Sequence, residues 1–259
     1  MYSSIETRVS EAYLSQILTG VSQPPCLIGG WAVYYTVNDN FRKAKLHDYL
    51  GSRDIDLGFH FDPFWTKKQF QSSSYNATIT KLLKMGFEEI SYRYFKQHSM
   101  EDGHQLSPEE AKTTDQFMIF NMYVDLLVDT KNPNRNKVAG FTVLEEPLLS
   151  AVFSGKESTQ KKLFGIMVTM PSPSLLTKIK LKSFPGREED KKLKDLMDIC
   201  ALLQYSGQDP PNFTSSKSDQ TIRENYLKTL DDISNKDWGT VARSLDSDTS
   251  LIKRIARRV

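Results

Sequence analysis

The chain switches between segments whose apolar residues recur at helical spacing and short runs in which apolar and polar residues alternate. Ile5, Val9, Tyr13, Ile17 and Leu18 predict a helix over 5–19, ended by Pro24-Pro25. Cys26-Leu27-Ile28 is a short apolar strand. Gly29-Gly30 follows as a tight turn, and Trp31-Ala32-Val33-Tyr34-Tyr35 opens a helix. Beyond a polar, basic stretch from Asn38 to Tyr49, residues 52–59 alternate as a strand should. Asp54 and Asp56 fall on one face and Ile55 and Leu57 on the other. Residues 64–85 predict one helix closed by Gly86, and Phe87 to Phe95 an aromatic-rich strand. Residues 98–114, with Gly103 and Pro108, predict a loop or insertion, and Phe117 to Val128 a strand or strand pair.

The pattern breaks at Lys131-Asn132-Pro133-Asn134-Arg135-Asn136, which marks a domain boundary within 131–147. Leu163 to Met170 predicts a strand closed by Pro171-Ser172-Pro173. Ser174 is the expected N-cap of a helix reaching about Lys182, interrupted by Pro185-Gly186. Leu193, Leu196, Met197, Cys200 and Leu203 form the apolar stripe of another helix. Gln208 to Ser218 reads as a linker, and one or two polar helices finish the chain. The expectation is an α+β protein, with a catalytic domain over 1–145 and a mainly helical domain over 146–259.

Composition narrows the class. With 259 residues, 39% hydrophobic and 25% charged, the chain can bury a core without disulfides, which excludes disorder, collagen and coiled coil. No apolar run approaches the roughly 20 residues of a membrane span. Met1 to Ser10 is polar, so the expectation is a cytoplasmic protein with no membrane partner. A net charge of +2 leaves nucleic acid open. Cys26 and Cys200 lie among apolar residues and read as reduced, buried thiols. His47, His60, His98 and His104 show no paired-ligand spacing, and no Walker A, GxSxG or kinase signature occurs.

The chemistry concentrates in carboxylates. Asp54 and Asp56, two residues apart on one strand face, can hold one hard divalent cation or two adjacent ones. Asp125 stands inside the apolar run Val124-Asp125-Leu126-Leu127-Val128, where a carboxylate is costly unless paired, hydrogen-bonded or metal-bound. It is the favoured third carboxylate; Asp129, at the strand end, is the alternative. Gly29 and Gly30, between strand and helix, let the backbone approach a phosphate at a helix N-terminus. Lys178, Lys180, Lys182, Arg187, Lys191, Lys192 and Lys194 form a basic run, either an electrostatic surface for NTP and tRNA or a solvated helix face balanced by nearby acids.

The order Gly-Gly-Trp-Ala-Val, Ser-Arg-Asp-Ile-Asp-Leu, Val-Asp-Leu-Leu, a lysine-bearing helix and Lys-Asp-Leu-Met-Asp-Ile resembles the nucleotidyltransferase superfamily of the polymerase-beta type. Within it, the chain is most similar to the AbiEii branch, which includes toxin components of toxin–antitoxin and phage-defence systems. The resemblance spans about residues 26 to 204. It implies a nucleotidyltransferase fold, a mixed central sheet flanked by helices, with the helical C-terminal part completing the active-site cleft. It implies Gly29 and Gly30 at the nucleotide phosphates, and Asp54, Asp56 and Asp125 as ligands of one or two Mg²⁺ and as catalytic carboxylates. Lys180, with Lys178 and Lys182 as alternatives in register, would be the catalytic lysine. Arg187, Asp195 and Asp198 would join Lys180 in binding nucleotide. The implied reaction moves a nucleoside monophosphate from an NTP to a hydroxyl of RNA or tRNA, with a cognate antitoxin as partner. A small-molecule acceptor and a non-catalytic nucleotide-binding module are the alternatives.

Overall fold

A capping box fixes the first helix, α1 (Ser4–Thr19). Ser3 Oγ accepts from the Glu6 N–H, and the Glu6 carboxylate accepts from the Ser3 N–H. Strand β1 (Cys26–Ile28) leads directly into α2 (Gly29–Lys45), so the helix begins on the glycines. It also runs through much of the stretch expected to be merely polar and basic. Val33, Val37 and Phe41 recur every four residues and are fully buried, which extends the helical face past Asn38. β2 (Ile55–Phe59) follows. The structure, a computed structural model, describes residues 2–130, 134–140, 142–209, 211, 213 and 216–259. Lys131-Asn132-Pro133 and Phe141 of the expected boundary, and Pro210, Asn212, Thr214 and Ser215 of the expected linker, lie outside the described residues.

The single helix expected over 64–85 is two, α3 (Lys67–Gln71) and α4 (Ser74–Lys84). Ser73 Oγ accepts from the Asn76 N–H and starts a new helix there. The aromatic strand is a hairpin, β3 (Glu88–Ile90) and β4 (Arg93–Ser99), turning at Ser91 with φ 57°. A non-glycine residue in that conformation gives little warning in sequence. The expected loop contains a short helix, α5 (Pro108–Thr113), capped by Ser107. β5 (Ile119–Val128) is one ten-residue strand, with every second residue buried from Phe120 to Val128. Three short elements follow: α6 (Asn134–Ala139), β6 (Leu144–Glu145) and α7 (Ser150–Phe153). The strand expected over 163–170 is the second half of a hairpin, β7 (Ser158–Leu163) and β8 (Ile166–Pro171).

Ser172, not Ser174, caps α8 (Pro173–Ser183); Pro173 then takes the first helical turn, where its missing N–H costs nothing. α9 (Glu189–Tyr205) carries the expected stripe. Three helices close the chain where one or two were expected: α10 (Lys217–Asp231), α11 (Asn235–Ser244) and α12 (Thr249–Ala256). Each buries a narrow apolar face within a polar sequence, such as Ile222, Tyr226 and Leu230 of α10.

Among the described residues, the main sheet has the order β1-β2-β5-β4-β3. β2 and β5 are parallel and the other pairs on this path antiparallel, so the sheet is mixed. β6 pairs in parallel with the end of β5, where β4 has stopped. The chain divides into two compact units, Met1–Trp31 with Gly51–Pro171, and Ala32–Leu50 with Ser172–Val259. The division therefore differs from a cut at 145: the β7–β8 hairpin groups with the sheet, and most of α2 with the helices. In the second unit α9 is central, buried on every side from Leu196 to Leu203, with α8, α11 and α12 against it. Among the described residues no helix is long and apolar enough to cross a membrane.

Candidate active site

The carboxylates of the first unit are placed by strand register. Asp56 and Asp125 are direct partners across the parallel β2–β5 pair. On the other side of Asp56 the partner is Ile28, the last residue before α2. Asp54 stands one residue ahead of β2 and is 9% exposed. Ile55 and Leu57, on the opposite face, are fully buried and hold the strand in this register.

The glycine pair explains how Asp56 comes so close to a helix start. Gly29 has φ 64°, and a Cβ there would overlap the Asp56 carboxylate. A Cβ on Gly30 would meet Ser52 Oγ at 2.6 Å. Ser52 Oγ in turn donates to the Asp54 carbonyl at 2.9 Å. Both glycines thus admit the carboxylate strand and its lead-in to the N-terminus of a 17-residue helix, whose dipole favours a negative group.

Two arginines answer this charge. Arg93 Nε lies 2.6 Å from Asp125 Oδ1, and Nη2 lies 2.9 Å from Oδ2, a two-pronged fork on one carboxylate. The same Nη2 is 4.0 Å from Asp54 Oδ2. Burial would lower the Arg93 pKa, but Asp125, then Asp54 and Asp56, raise it above the ordinary value. Arg53 Nε stands 3.4 Å from Asp54 Oδ1, and its Nη1 3.4 Å from Glu6 Oε1. Sequence reasoning missed Arg93 and Ser52. Arg93 sits in an aromatic strand, and only the cross-strand register with Asp125 reveals it.

Asp129 is used differently. Its carboxylate accepts from the Phe61 N–H at 2.9 Å and lies 2.6 Å from His60 Nδ1, closing the turn after β2.

The second unit brings together Lys180, Arg187, Asp195 and Asp198. Lys180 Nζ is 2.6 Å from Asp195 Oδ1 and 2.8 Å from Asp198 Oδ2, the latter contact ionic and off the hydrogen-bonding direction. Arg187 Nε lies 2.6 Å from Asp195 Oδ2. Lys194 Nζ and the Tyr49 hydroxyl both donate to Asp198 Oδ1. Burial alone would pull the Lys180 pKa down and push the Asp198 pKa up. The opposite charges more than reverse both, so Lys180 is raised and Asp198 lowered. The basic run is therefore largely spent within this unit: Lys178 also pairs, with Asp219 at 3.4 Å. Lys182, Lys191 and Lys192 have interactions too.

The hard oxygen donors of Asp54 and Asp56 suit Mg²⁺. Asp125, as placed, is a partner of Arg93. Among the described residues no three His, Cys, Asp or Glu side chains stand together as a metal site. The fit therefore runs through Asp54 and Asp56. Cys26 and Cys200 are buried and unpaired with each other, each thiol pushed up to about 12 by burial.

No protein-family model matches the chain, and no curated protein matches it. Among solved structures, it is similar to an antigenic nucleotidyltransferase-like protein from Paracoccidioides brasiliensis. The identity is 19% and the TM-score 0.46, over 94% of this chain and 93% of that one.

Proposed function

We propose that the chain is a nucleotidyltransferase, moving a nucleoside monophosphate from an NTP to a hydroxyl and releasing pyrophosphate. The observation that carries this reading is the register pairing of Asp56 with Asp125, beside the N-terminus of α2, with Asp54 next to it. A helix N-terminus attracts phosphate. Here it also faces the Asp56 carboxylate, so an incoming polyphosphate and that carboxylate repel unless a cation lies between them. Asp54 and Asp56 are the residues to hold it. When bound, Mg²⁺ supplies charge neutralisation on the phosphates, the main requirement of phosphoryl transfer.

The chain's own residues do the positioning. Ser52 and Gly30 pin the lead-in to β2, and Gly29 sets the distance between Asp56 and the helix. In the second unit, Lys180, Asp195 and Asp198 are the buried members of the ion-pair network. Arg187, its side chain 39% exposed, is the most exposed cation of that network.

RNA or tRNA is the acceptor that the AbiEii resemblance suggests. A small-molecule hydroxyl is the second reading, favoured by the internal use of the basic run, which removes much of a phosphate-tracking surface. A toxin role with a cognate antitoxin rests on the resemblance; growth arrest on expression, relieved by Asp56→Ala, tests it. The transfer reading is tested by incubating the purified chain with Mg²⁺ and each labelled NTP, with total RNA or with a panel of aminoglycosides. Label on either acceptor with the wild type, and none with Asp54→Ala or Asp56→Ala, is the expected outcome. Full Mg²⁺-dependent turnover by both variants would sink the assignment.

A further inference from the structure

We propose that Arg93 is the fixed second cation of this site: seated on Asp125, it stands in place of a second divalent ion, and the carboxylates take one ion only, on Asp54 and Asp56. This rests on the nucleotidyltransferase reading and makes it a one-ion enzyme with a built-in guanidinium. Asp125 is then an anchor for Arg93 rather than a metal ligand.

Three contacts hold the guanidinium in place. Both oxygens of Asp125 face its fork, at 2.6 and 2.9 Å. The Tyr123 ring lies beneath it, 4.1 Å from ring centre to guanidinium carbon. Asp54 stands 4.0 Å from Nη2. The backbone fixes the arrangement as well. Arg93 and Asp125 are direct partners across the antiparallel β4–β5 pair, while Asp125 and Asp56 are partners across β5–β2. Arg93, Asp125 and Asp56 therefore form one row across three strands. A surface arginine that had wandered onto a carboxylate would lack both the ring beneath it and the register.

The electrostatics point the same way: Arg93 already places a fixed positive charge against Asp125 and within 4.0 Å of Asp54. A second divalent ion would have to displace a guanidinium from Asp125 or add two positive charges beside it, and either is unfavourable. An arginine also stays protonated at every working pH, so it holds its charge without exchange with solvent.

The test counts ions rather than turnover. Mn²⁺, used as the probe for Mg²⁺, is titrated into the full chain, with binding followed by the electron paramagnetic resonance signal of the free ion. The wild type is expected to bind one ion, and Asp125→Asn to keep that ion with affinity changed less than about threefold. Arg93→Met, which uncovers Asp125, is expected to bind a second ion. Arg93→Lys, which keeps a positive charge, is expected to stay at one. Two ions on the wild type, loss of an ion or a tenfold weakening in Asp125→Asn, or a folded Arg93→Met still at one ion would each overturn the proposal. Should Arg93→Met fail to fold, the wild type and Asp125→Asn decide it. Absence of label transfer from the wild type would instead overturn the enzyme reading, whatever the ion count.

Discussion

Replacing Lys180 with methionine keeps the aliphatic length of the side chain and removes the ammonium shared by two buried carboxylates. Lys180, Asp195 and Asp198 have side chains 7%, 6% and 0% exposed, so water cannot replace the lost partner. Breaking a buried ion pair from one side costs about 3–5 kcal/mol, because the other charge is stranded. Arg187 still faces Asp195, and Lys194 still faces Asp198, which places the loss near the low end, about 3 kcal/mol. With a urea dependence of about 2–3 kcal/mol per molar, the unfolding midpoint should fall by about 1 M with no change in slope. Adding Asp198→Asn removes one stranded charge, so the double variant should lose less than the sum of the single losses. The pH dependence has a definite sign. Asp198 has a lowered folded pKa, so its contribution is present above the ordinary carboxylate value and lost as pH falls through the folded one. Lys180 has a raised folded pKa, so its contribution is complete below the ordinary lysine value and lost as pH rises through the folded one. The gap between wild type and variant should be flat from about pH 5 to 9 and shrink in acid below about pH 4. A midpoint shift under about 0.3 M, or strict additivity in the double variant, would refute the network as a source of stability.

Gly29→Ala combines a left-handed backbone, worth about 1–2 kcal/mol for a non-glycine residue, with a Cβ that overlaps Asp56. It should weaken Mn²⁺ binding at least tenfold, and unchanged binding would show that Asp56 holds no ion. Asp129→Ala removes the acceptor for the Phe61 N–H and the partner of His60. Urea unfolding should show a loss of about 1–2 kcal/mol while the Mn²⁺ count stays unchanged; a lost ion would return Asp129 to the metal site. Cys26 and Cys200, pushed up to about 12 by burial, should resist a thiol reagent at pH 8 in the native chain and react together in urea. Rapid labelling of the native chain would contradict their placement.

Local features were legible wherever one residue pattern decides one element. The period of Ile5, Val9, Tyr13 and Ile17 is α1, and the alternation around Ile55 and Leu57 sets Asp56 apart from the buried face; the strand expected from residue 52 begins only at Ile55, so Asp54 lies ahead of it and is itself buried. Asp125 stood out because a carboxylate inside an apolar strand needs a partner, but the partner's identity was not legible. Arg93 reaches it only through the register of two strands 32 residues apart in sequence. The lysine run left two readings open for a related reason. Composition reports how many charges a segment carries, not which carboxylates they meet, and here Lys178, Lys180, Arg187 and Lys194 turn to Asp219, Asp195 and Asp198. The break at Ser72-Ser73 was hidden because serine is tolerated inside a helix and only its capping bond reveals a new start. The glycine pair was read for phosphate alone; in the structure it also admits Asp56 and Ser52.

The proposed function gives Asp54 and Asp56 to nucleotidyl transfer. Its most direct test is label transfer from each labelled NTP in the presence of Mg²⁺, with total RNA and small hydroxyl acceptors offered in parallel. The wild type should label one acceptor class with one preferred NTP. Asp54→Ala and Asp56→Ala, folded as judged by an unchanged urea slope, should label neither. Equal labelling by wild type and both variants, or no labelling of any acceptor by a wild type that binds neither Mn²⁺ nor NTP, would contradict it.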